Sequence, residues 1–212
     1  TPANTLSLHD ALPIFMPIFD YSTVNETSTK PQFNWGYNPK NYNAPEGSYS
    51  TNPYNPITRV KELKQAIQAL HDNGLRVNMD VVYSHMYSSS DSNFNKLVPG
   101  YYFRPNANES GFKNTVASEN VMARKFIVDS VVYWAKEYNL DGFRFDQMGL
   151  LDVTTMNEIR KKLSSIDPSI LILGDGSDKG TTLAPNIKAT KRNVSKMPEI
   201  AQFNDAIRDG IG

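Results

Sequence analysis

The chain has 212 residues, 39% of them hydrophobic, which is enough to bury a sizeable core as one ordinary domain or a small pair. Its 22 basic and 22 acidic residues cancel, neither sign forms a long block, and no run of about 18 apolar residues occurs, so we expect no nucleic acid partner and no membrane association. The absence of cysteine excludes disulfides and thiol chemistry, and three histidines are too few for a His-rich zinc site.

The first residues resemble something other than native protein. Residues 7–14 are similar to the in-frame translation of a widely used DNA sequencing adapter, and the match extends back to Asn4. This predicts that residues 1–14 are not native. A genuine passage from loop to strand is the alternative. Because of this likeness, the missing signal peptide says nothing about localisation, and cytoplasmic and secreted locations both stay open.

From Phe15 onward the pattern predicts alternating strands and helices. Helical spacing of apolar residues begins after Thr58, a candidate N-cap, and stops at Gly74. Asp152 is a candidate N-cap for a later helix. The predicted order is strand 15–21, loop 22–57, helix 58–73, strand 75–83, loop 86–116, helix 117–138, strand 141–146, a helix after residue 152, and strand 170–174.

This alternation predicts an α/β fold with a parallel sheet and right-handed crossovers, either doubly wound or closed as an eight-stranded barrel. Both architectures place the active site at the carboxyl ends of the strands. No glycine-rich phosphate-binding motif follows a strand, so a nucleotide-binding sheet is the weaker interpretation. Polar residues do gather at the predicted strand ends: Asp20, Tyr21, Asp80, His85, Arg144, Asp146, Asp175 and Asp178.

Arg144 and Asp146 are the most informative of these residues. Two positions apart on a strand, their side chains share one face. A guanidinium beside a carboxylate favours its ionised form, which a glycosidase needs in a nucleophile or electrostatic partner. A structural Arg–Asp pair that caps a strand is an equally good interpretation of these residues alone.

Several ordered segments resemble the type I pullulanase group of glycoside hydrolase family 13, the α-amylase superfamily. The most specific is NWGYNP at residues 34–39, followed by PEGSYSTNP at residues 45–53. DVVYSH at 80–85, DGFRFD at 141–146 and LGDGSD at 173–178 are similar to the motifs of the third, fourth and fifth barrel strands, and the tail from Ala184 to Asp205 also follows the group's pattern. The resemblance implies that residues 15–212 form a partial (β/α)8 TIM barrel, from the end of strand 2 through strand 5 with the following helices, incomplete at both ends.

The resemblance also implies catalytic roles. Asp146 would be the nucleophile that forms a covalent glycosyl-enzyme, and Arg144 would orient it and keep it charged. Asp175 occupies the position of the general acid, which in a retaining enzyme lies about 5 Å across the scissile bond.

Four further residues would contribute to substrate binding. Tyr37 would stack on the sugar in the cleaved subsite, with Trp35 on the same loop, and His85 would hydrogen-bond the sugar hydroxyls. Asp80 belongs to the same group, although bracing the strand end is the role that we favour for it. Packing within the loops is the alternative for Tyr37, Trp35 and His85.

The chain departs from the group's pattern at the acid. Asp175 stands where the group has Glu, which pulls the proton donor back by about 1.5 Å, and a displacement of that order can cost roughly 100-fold in rate. Ser177 replaces a Trp, which removes an apolar wall that would help to keep the acid protonated. Ser84 replaces Asn, Asn38 replaces Asp, and the loop at 113–115 is shorter than the group's glycine-rich version.

The leading hypothesis is therefore a retaining hydrolase of α-1,6 links in pullulan, starch or glycogen. A catalytically degenerate glucan-binding homologue is the alternative that Asp175 and Ser177 favour, and another α-amylase-superfamily hydrolase is opposed by the loop at 34–53. The chemistry needs no metal or organic cofactor; calcium is common in the superfamily, but no acidic loop of sufficient ligand count stands out. The group's third carboxylate would lie beyond residue 212, so we expect the 212-residue chain alone to be inactive. Half a barrel would also leave open sheet edges and uncovered apolar helix faces, so we expect the chain to be prone to aggregate.

Overall fold

The structure is a computed structural model that describes residues 13–204, 207, 209 and 210. Adapter-like residues 1–12 and Asp205 of the tail lie outside the described residues. The described chain contains seven strands and four α-helices. They are β1 (Ile14–Phe15), β2 (Phe19–Tyr21), β3 (Pro39–Pro45), α1 (Pro56–Asp72), β4 (Asn78–Val81), α2 (Asn93–Leu97), α3 (Val121–Tyr138), β5 (Gly142–Phe145), α4 (Val153–Ser164), β6 (Leu171–Gly174) and β7 (Ala201–Gln202).

A five-stranded parallel sheet organises the molecule, and it confirms the predicted α/β fold with a parallel sheet. Its order is β1-β4-β5-β6-β7, with every neighbouring pair parallel. β2 and β3 form a separate antiparallel pair. None of the described helices combines the length and the apolar character needed to cross a membrane.

Residues 15–21 do not form the single strand that the apolar pattern predicts. Phe15 ends β1 in the parallel sheet, and the chain re-enters extended structure at Phe19 to pair with β3. β3 itself lies inside the segment 22–57 that we predicted as loop. Its burial follows no strict alternation, because Pro39, Tyr42 and Pro45 are buried whereas Lys40, Asn41 and Asn43 are exposed. The pattern therefore lacks the two-residue period by which strands are recognised.

The sequence predicted the N-cap of α4 correctly but not the N-cap of α1. Asp152 caps α4 as predicted, since its side chain accepts a hydrogen bond from the Thr155 amide. The prediction of Thr58 as the cap of α1 was wrong. Asn55 caps it instead, accepting from the Ile57 amide at 2.9 Å, and Pro56 occupies the first helical position, where a missing N–H costs nothing.

The core lies between the parallel sheet and the helices. Trp134 of α3 is fully buried and donates its indole N–H to the Tyr42 carbonyl at 2.8 Å, which ties the helix to β3. β4 is buried at all four positions, as expected for a central parallel strand covered on both faces. The largest fully buried side chains are Trp134, Tyr83, Tyr138, Phe19, Phe143, Phe145, Ile67, Met79, Ile127, Met148, Leu150 and Leu151.

Candidate active site

The carboxyl ends of β4, β5 and β6 bring three carboxylates to one edge of the sheet. Asp80 and Arg144 are direct register partners on β4 and β5. The ladder continues past the strands, because the Asp146 amide donates to the Val81 carbonyl at 2.9 Å and the Asp175 amide donates to the Phe145 carbonyl at 3.1 Å. The parallel register therefore sets Asp80, Asp146 and Asp175 on three successive chain segments.

Arg144 joins two of these carboxylates. One nitrogen, Nη1, donates to Asp80 at 3.0 and 2.9 Å and to Asp146 Oδ1 at 2.9 Å. The Phe203 ring lies over the same guanidinium, 5.4 Å from its central carbon, at cation–π distance. The guanidinium is thus held between two carboxylates and one aromatic face.

Burial raises the pKa of Asp146 above its ordinary value. The Arg144 guanidinium acts in the opposite direction, and the nearby Asp175 carboxylate adds to the rise. The stabilising effect of Arg144 on the charged form, which the sequence suggests, is therefore present, but burial outweighs it.

Tyr37 reaches this network from the loop between β2 and β3. Its hydroxyl donates to Asp80 Oδ2 at 2.6 Å, so Asp80 accepts from Tyr37 and from Arg144 together. Asp80 is only 5% exposed, and burial raises its pKa against the lowering effect of both partners. Asp80 thus joins Tyr37 to Arg144 of β5.

His85 lies beside the same loop with hydrogen-bond partners on both ring nitrogens. Nδ1 is 2.9 Å from the Ser84 hydroxyl and Nε2 is 2.8 Å from the Tyr37 carbonyl. The ring is 1% exposed, and Phe112 stacks on it with centroids 4.3 Å apart and planes 10° from parallel. Burial lowers the pKa of His85 to about 4, so the imidazole is neutral near pH 7.

Asp175 has a local partner that disfavours an acid. Its Oδ1 accepts from the Ser177 amide at 3.0 Å and from the Ser177 hydroxyl at 2.6 Å. Burial alone would raise the pKa of Asp175, but these two bonds, together with Lys179 and Lys191, lower it below the ordinary value. A general acid needs the opposite shift to hold a proton near neutral pH.

Trp35 makes none of the hydrogen bonds that join Tyr37, Asp80, Arg144 and Asp146 in the described part of the chain. Its side chain is 59% exposed and meets Phe33 edge-to-face at 5.7 Å, and Phe33 is itself 81% exposed. These two aromatic rings form an exposed pair on the loop that carries Tyr37.

Two residues of the site escaped the sequence analysis. Phe112 lies on a loop, where no periodic pattern in the sequence predicts that its ring stacks on His85. Phe203 directly follows β7, a two-residue strand too short to be read from the sequence. For Phe203 a usable signal existed, because it belongs to the tail whose pattern resembles the pullulanase group.

The acidic side chains of Asp20, Glu26 and Glu46 come together away from this site, with carboxylate oxygens within 4.8 Å of one another. Protein donors already bind all three. Arg59 pairs with Glu26, Asn41 donates to Asp20, and the backbone amides of Tyr21 and Ser48 donate to Glu46. These contacts explain the cluster without a metal ion, and we assign none to it.

Comparison with known proteins gives a consistent result. No family model matches the chain. The pullulanase of Bacillus subtilis strain 168 is 48% identical over 201 residues, which cover 92% of this chain and 28% of the relative. The chloroplastic pullulanase 1 of Arabidopsis thaliana is 37% identical over 205 residues, covering 88% of this chain and 21% of the relative.

Solved structures agree with these relatives. The apo pullulanase from Paenibacillus barengoltzii superposes with a TM-score of 0.91 at 49% identity, covering 93% of this chain and 32% of that one. The pullulanase from Anoxybacillus sp. LM18-11, complexed with maltotetraose, gives a TM-score of 0.91 at 50% identity, covering 92% of this chain and 29% of that one. The chain thus spans between 21% and 32% of the length of these relatives. Within that span, the chain belongs to the pullulanase family.

Proposed function

We propose that the chain is part of the (β/α)8 barrel of an enzyme that hydrolyses α-1,6-glucosidic links in branched α-glucans such as pullulan. In this proposal β1 is the end of barrel strand 2, and β4, β5 and β6 are strands 3, 4 and 5. The observation that carries the proposal is the Asp146 carboxylate, held by Arg144 at the end of β5 beside Asp175 at the end of β6. The likeness to pullulanases supports the substrate class.

The reaction is a double displacement with retention at the anomeric carbon. An Asp146 oxygen attacks the anomeric carbon while an acid protonates the leaving glycosidic oxygen, which gives a covalent glycosyl-enzyme. Water, deprotonated by the same acid residue, then releases the sugar and frees Asp146. Arg144 holds the nucleophile in its attacking orientation, because its other contact, Asp80, is buried and cannot move freely.

The acid in this scheme is Asp175. Its short side chain and its bonds to Ser177 make it a weak proton donor, so we expect slow turnover with natural glycosidic leaving groups.

Tyr37 and its neighbours form the glucan-binding side of the site. The Tyr37 hydroxyl is engaged by Asp80, which leaves the ring face to stack on a sugar. We assign His85 to the same subsite, we give Asp80 the bracing role beside it through its bonds to Tyr37 and Arg144, and we place the exposed Trp35 against a more distant sugar of the chain.

Glucan binding without turnover is the second candidate function. The hydrogen-bonded Asp175 carboxylate, with its lowered pKa, is the observation that favours it. In that case Tyr37 would still bind glucan, but Asp175 would not protonate the leaving oxygen.

A segment exchange tests the proposal. The matching segment of the B. subtilis pullulanase is replaced by residues 15–204 of this chain, and release of reducing ends from pullulan is measured, with Asp146→Asn as the inactive control. We expect hydrolysis that Asp146→Asn abolishes and that Asp175→Glu increases. A chimera that binds maltotriose but cleaves pullulan neither with Asp175 nor with Asp175→Glu would favour the binding protein.

A further inference from the structure

We propose that the tight turn after Asp146, residues 147–150, is a spacer that fixes the distance between the nucleophile and the acid, and that Gly149 is its positioning residue. This inference rests on the proposed function, because the spacing matters to catalysis only if Asp146 and Asp175 act on one glycosidic bond. The separation of the two carboxylates decides which mechanism a glycosidase follows, and a retaining pair lies about 5 Å apart.

The backbone of Asp175 is bound from both sides of the nucleophile. Its amide donates to the carbonyl of Phe145, the residue before Asp146, at 3.1 Å. Its carbonyl accepts from the amide of Gly149, three residues after Asp146, at 3.0 Å. Both polar groups of the Asp175 backbone are therefore held by the chain that carries the nucleophile.

The turn itself is short and buried. Gln147 has left-handed backbone angles, φ 47° and ψ 43°, which turn the chain sharply directly after the nucleophile. The 3-10 helix Met148–Leu150 follows, and all three of its residues are buried. The Met148 side chain packs against Gly174, where an added Cβ would lie 2.5 Å from the methionine sulfur. The turn thus lies directly on residues 174–177, the acid segment that carries Asp175.

At Gly149 this packing leaves no room for a side chain. A Cβ there would lie 2.1 Å from the Ser177 carbonyl oxygen, a backbone atom that no rotamer change can move. The φ of Gly149 is not in the left-handed region, so the requirement for glycine comes from the close approach and not from the backbone conformation. Carbon and oxygen atoms pack no closer than about 3 Å, so alanine would have to separate the turn from the acid segment by roughly 1 Å.

The displacement would move the acid as a unit. The two bonds from Ser177 to the Asp175 carboxylate lie within the acid segment and move with it. On its other side the segment is bound as well, because the Lys191 amide donates to the Gly176 carbonyl at 2.9 Å. Alanine at residue 149 would therefore change the distance from Asp146 to Asp175 and leave the bonds within the acid segment intact.

Amide hydrogen exchange on the ¹⁵N-labelled 212-residue chain, kept dilute, tests the contact without catalysis. The amides of Gly149 and Asp175 should be protected in the unmutated chain. Gly149→Ala should make both exchange about tenfold faster, as for the loss of one hydrogen bond each, and leave the Ser177 amide, bonded within the segment, unchanged.

Gly142→Ala is the matched control, because a Cβ at residue 142 would meet the Asn78 and Leu171 side chains and not the acid segment. Its Gly149 and Asp175 amides should exchange as in the unmutated chain. A Gly149→Ala chain that exchanges like this control would overturn the proposal. If Gly149→Ala does not fold, the unmutated chain decides, since unprotected Gly149 and Asp175 amides there would equally overturn it.

The effect on catalysis is measured in the segment-exchange chimera with two substrates. Pullulan needs a proton on its leaving oxygen, whereas the fluoride of maltotriosyl fluoride leaves without one. We expect Gly149→Ala to lower kcat/KM for pullulan at least about tenfold and to keep kcat/KM for the fluoride within about threefold, because only protonation depends on the position of Asp175.

Equal losses on both substrates, or no loss on pullulan, would contradict a spacer that positions the acid. An inactive unmutated chimera would count against the proposed function alone. In that case amide exchange would still decide whether Gly149 holds the acid segment.

Discussion

At the scale of single residues, Asp175 shows how one methylene changes the chemistry available to a site. A shorter side chain bends back onto its own loop, where the Ser177 amide and hydroxyl satisfy its Oδ1. The carboxylate to which we assign proton donation is thereby stabilised in its charged form. The departure of Ser177 from the group's Trp therefore does more than remove a wall, because it supplies the donor.

This interaction predicts a change in pH dependence. Asp175 acts as an acid only while protonated, and its pKa is lowered, so turnover of natural glucans should fall as pH rises through that low pKa. Ser177→Ala removes the hydroxyl bond and raises the pKa of Asp175, which moves the falling limb of kcat to higher pH. Profiles of kcat against pH for the chimera and its Ser177→Ala variant check this, and an unmoved limb would show that Asp175 is not the acid.

His85 gives a second prediction at this scale, for stability. Its pKa is about 4 in the folded chain and 6.5 ordinarily, so below pH 6.5 the unfolded chain binds a proton that the folded chain does not. Stability is unaffected above that pH and is lost as pH falls from about 6.5 to 4, by about 3 kcal/mol in total.

Urea unfolding of the chain, at a concentration low enough to prevent the aggregation expected of it, measures this loss at several pH values, with His85→Gln as the control that lacks the titrating group. Subtracting the two removes the contribution of the carboxylates. If both proteins lost the same stability between pH 7 and pH 4, the buried neutral histidine would be refuted.

At the scale of elements, α1 shows the difference between a pattern and its boundary. The apolar spacing located the helix, but Asn55 and Pro56 lie in a polar stretch where several residues could cap. We expect Asn55→Ala to lower the free energy of unfolding by about 1 kcal/mol and Thr58→Ala to change it by less than about 0.5 kcal/mol. Chemical denaturation of the two variants measures both values. A larger loss from Thr58→Ala than from Asn55→Ala would show that Thr58 is the N-cap.

Long, regular elements were readable from the sequence, and short or irregular ones were not. The strands at β4, β5 and β6 stood out because buried parallel strands read as apolar runs. β3 was missed because its burial does not alternate, and β7 because two residues carry no period. The grouping of Asp80, Arg144, Asp146 and Asp175 was predictable, since the carboxyl ends of neighbouring parallel strands lie side by side. The contacts of Phe112 and Ser177 were not, because they depend on the course of loops.

At the scale of the whole molecule, the register of the parallel strands brings the site residues together. Asp80 and Arg144 are opposite each other on neighbouring strands. Backbone hydrogen bonds just after the strands align Asp146 and Asp175 with the ends of their neighbours. β1 and β7 lie at the two edges of the sheet, where the proposed barrel would continue. The proposed attack of Asp146 on the sugar therefore depends on the alignment of the carboxyl ends of β4, β5 and β6.

The most direct test of that claim is to trap the glycosyl-enzyme. A fluoro-substituted maltosyl fluoride has a leaving group that needs no proton, so the weak acid Asp175 does not limit the first step. After incubation of the chimera, mass spectrometry of its peptides should show the sugar attached to Asp146, and no such product in Asp146→Asn. A labelled residue other than Asp146, or an unlabelled chimera that still binds maltotriose, would contradict the account.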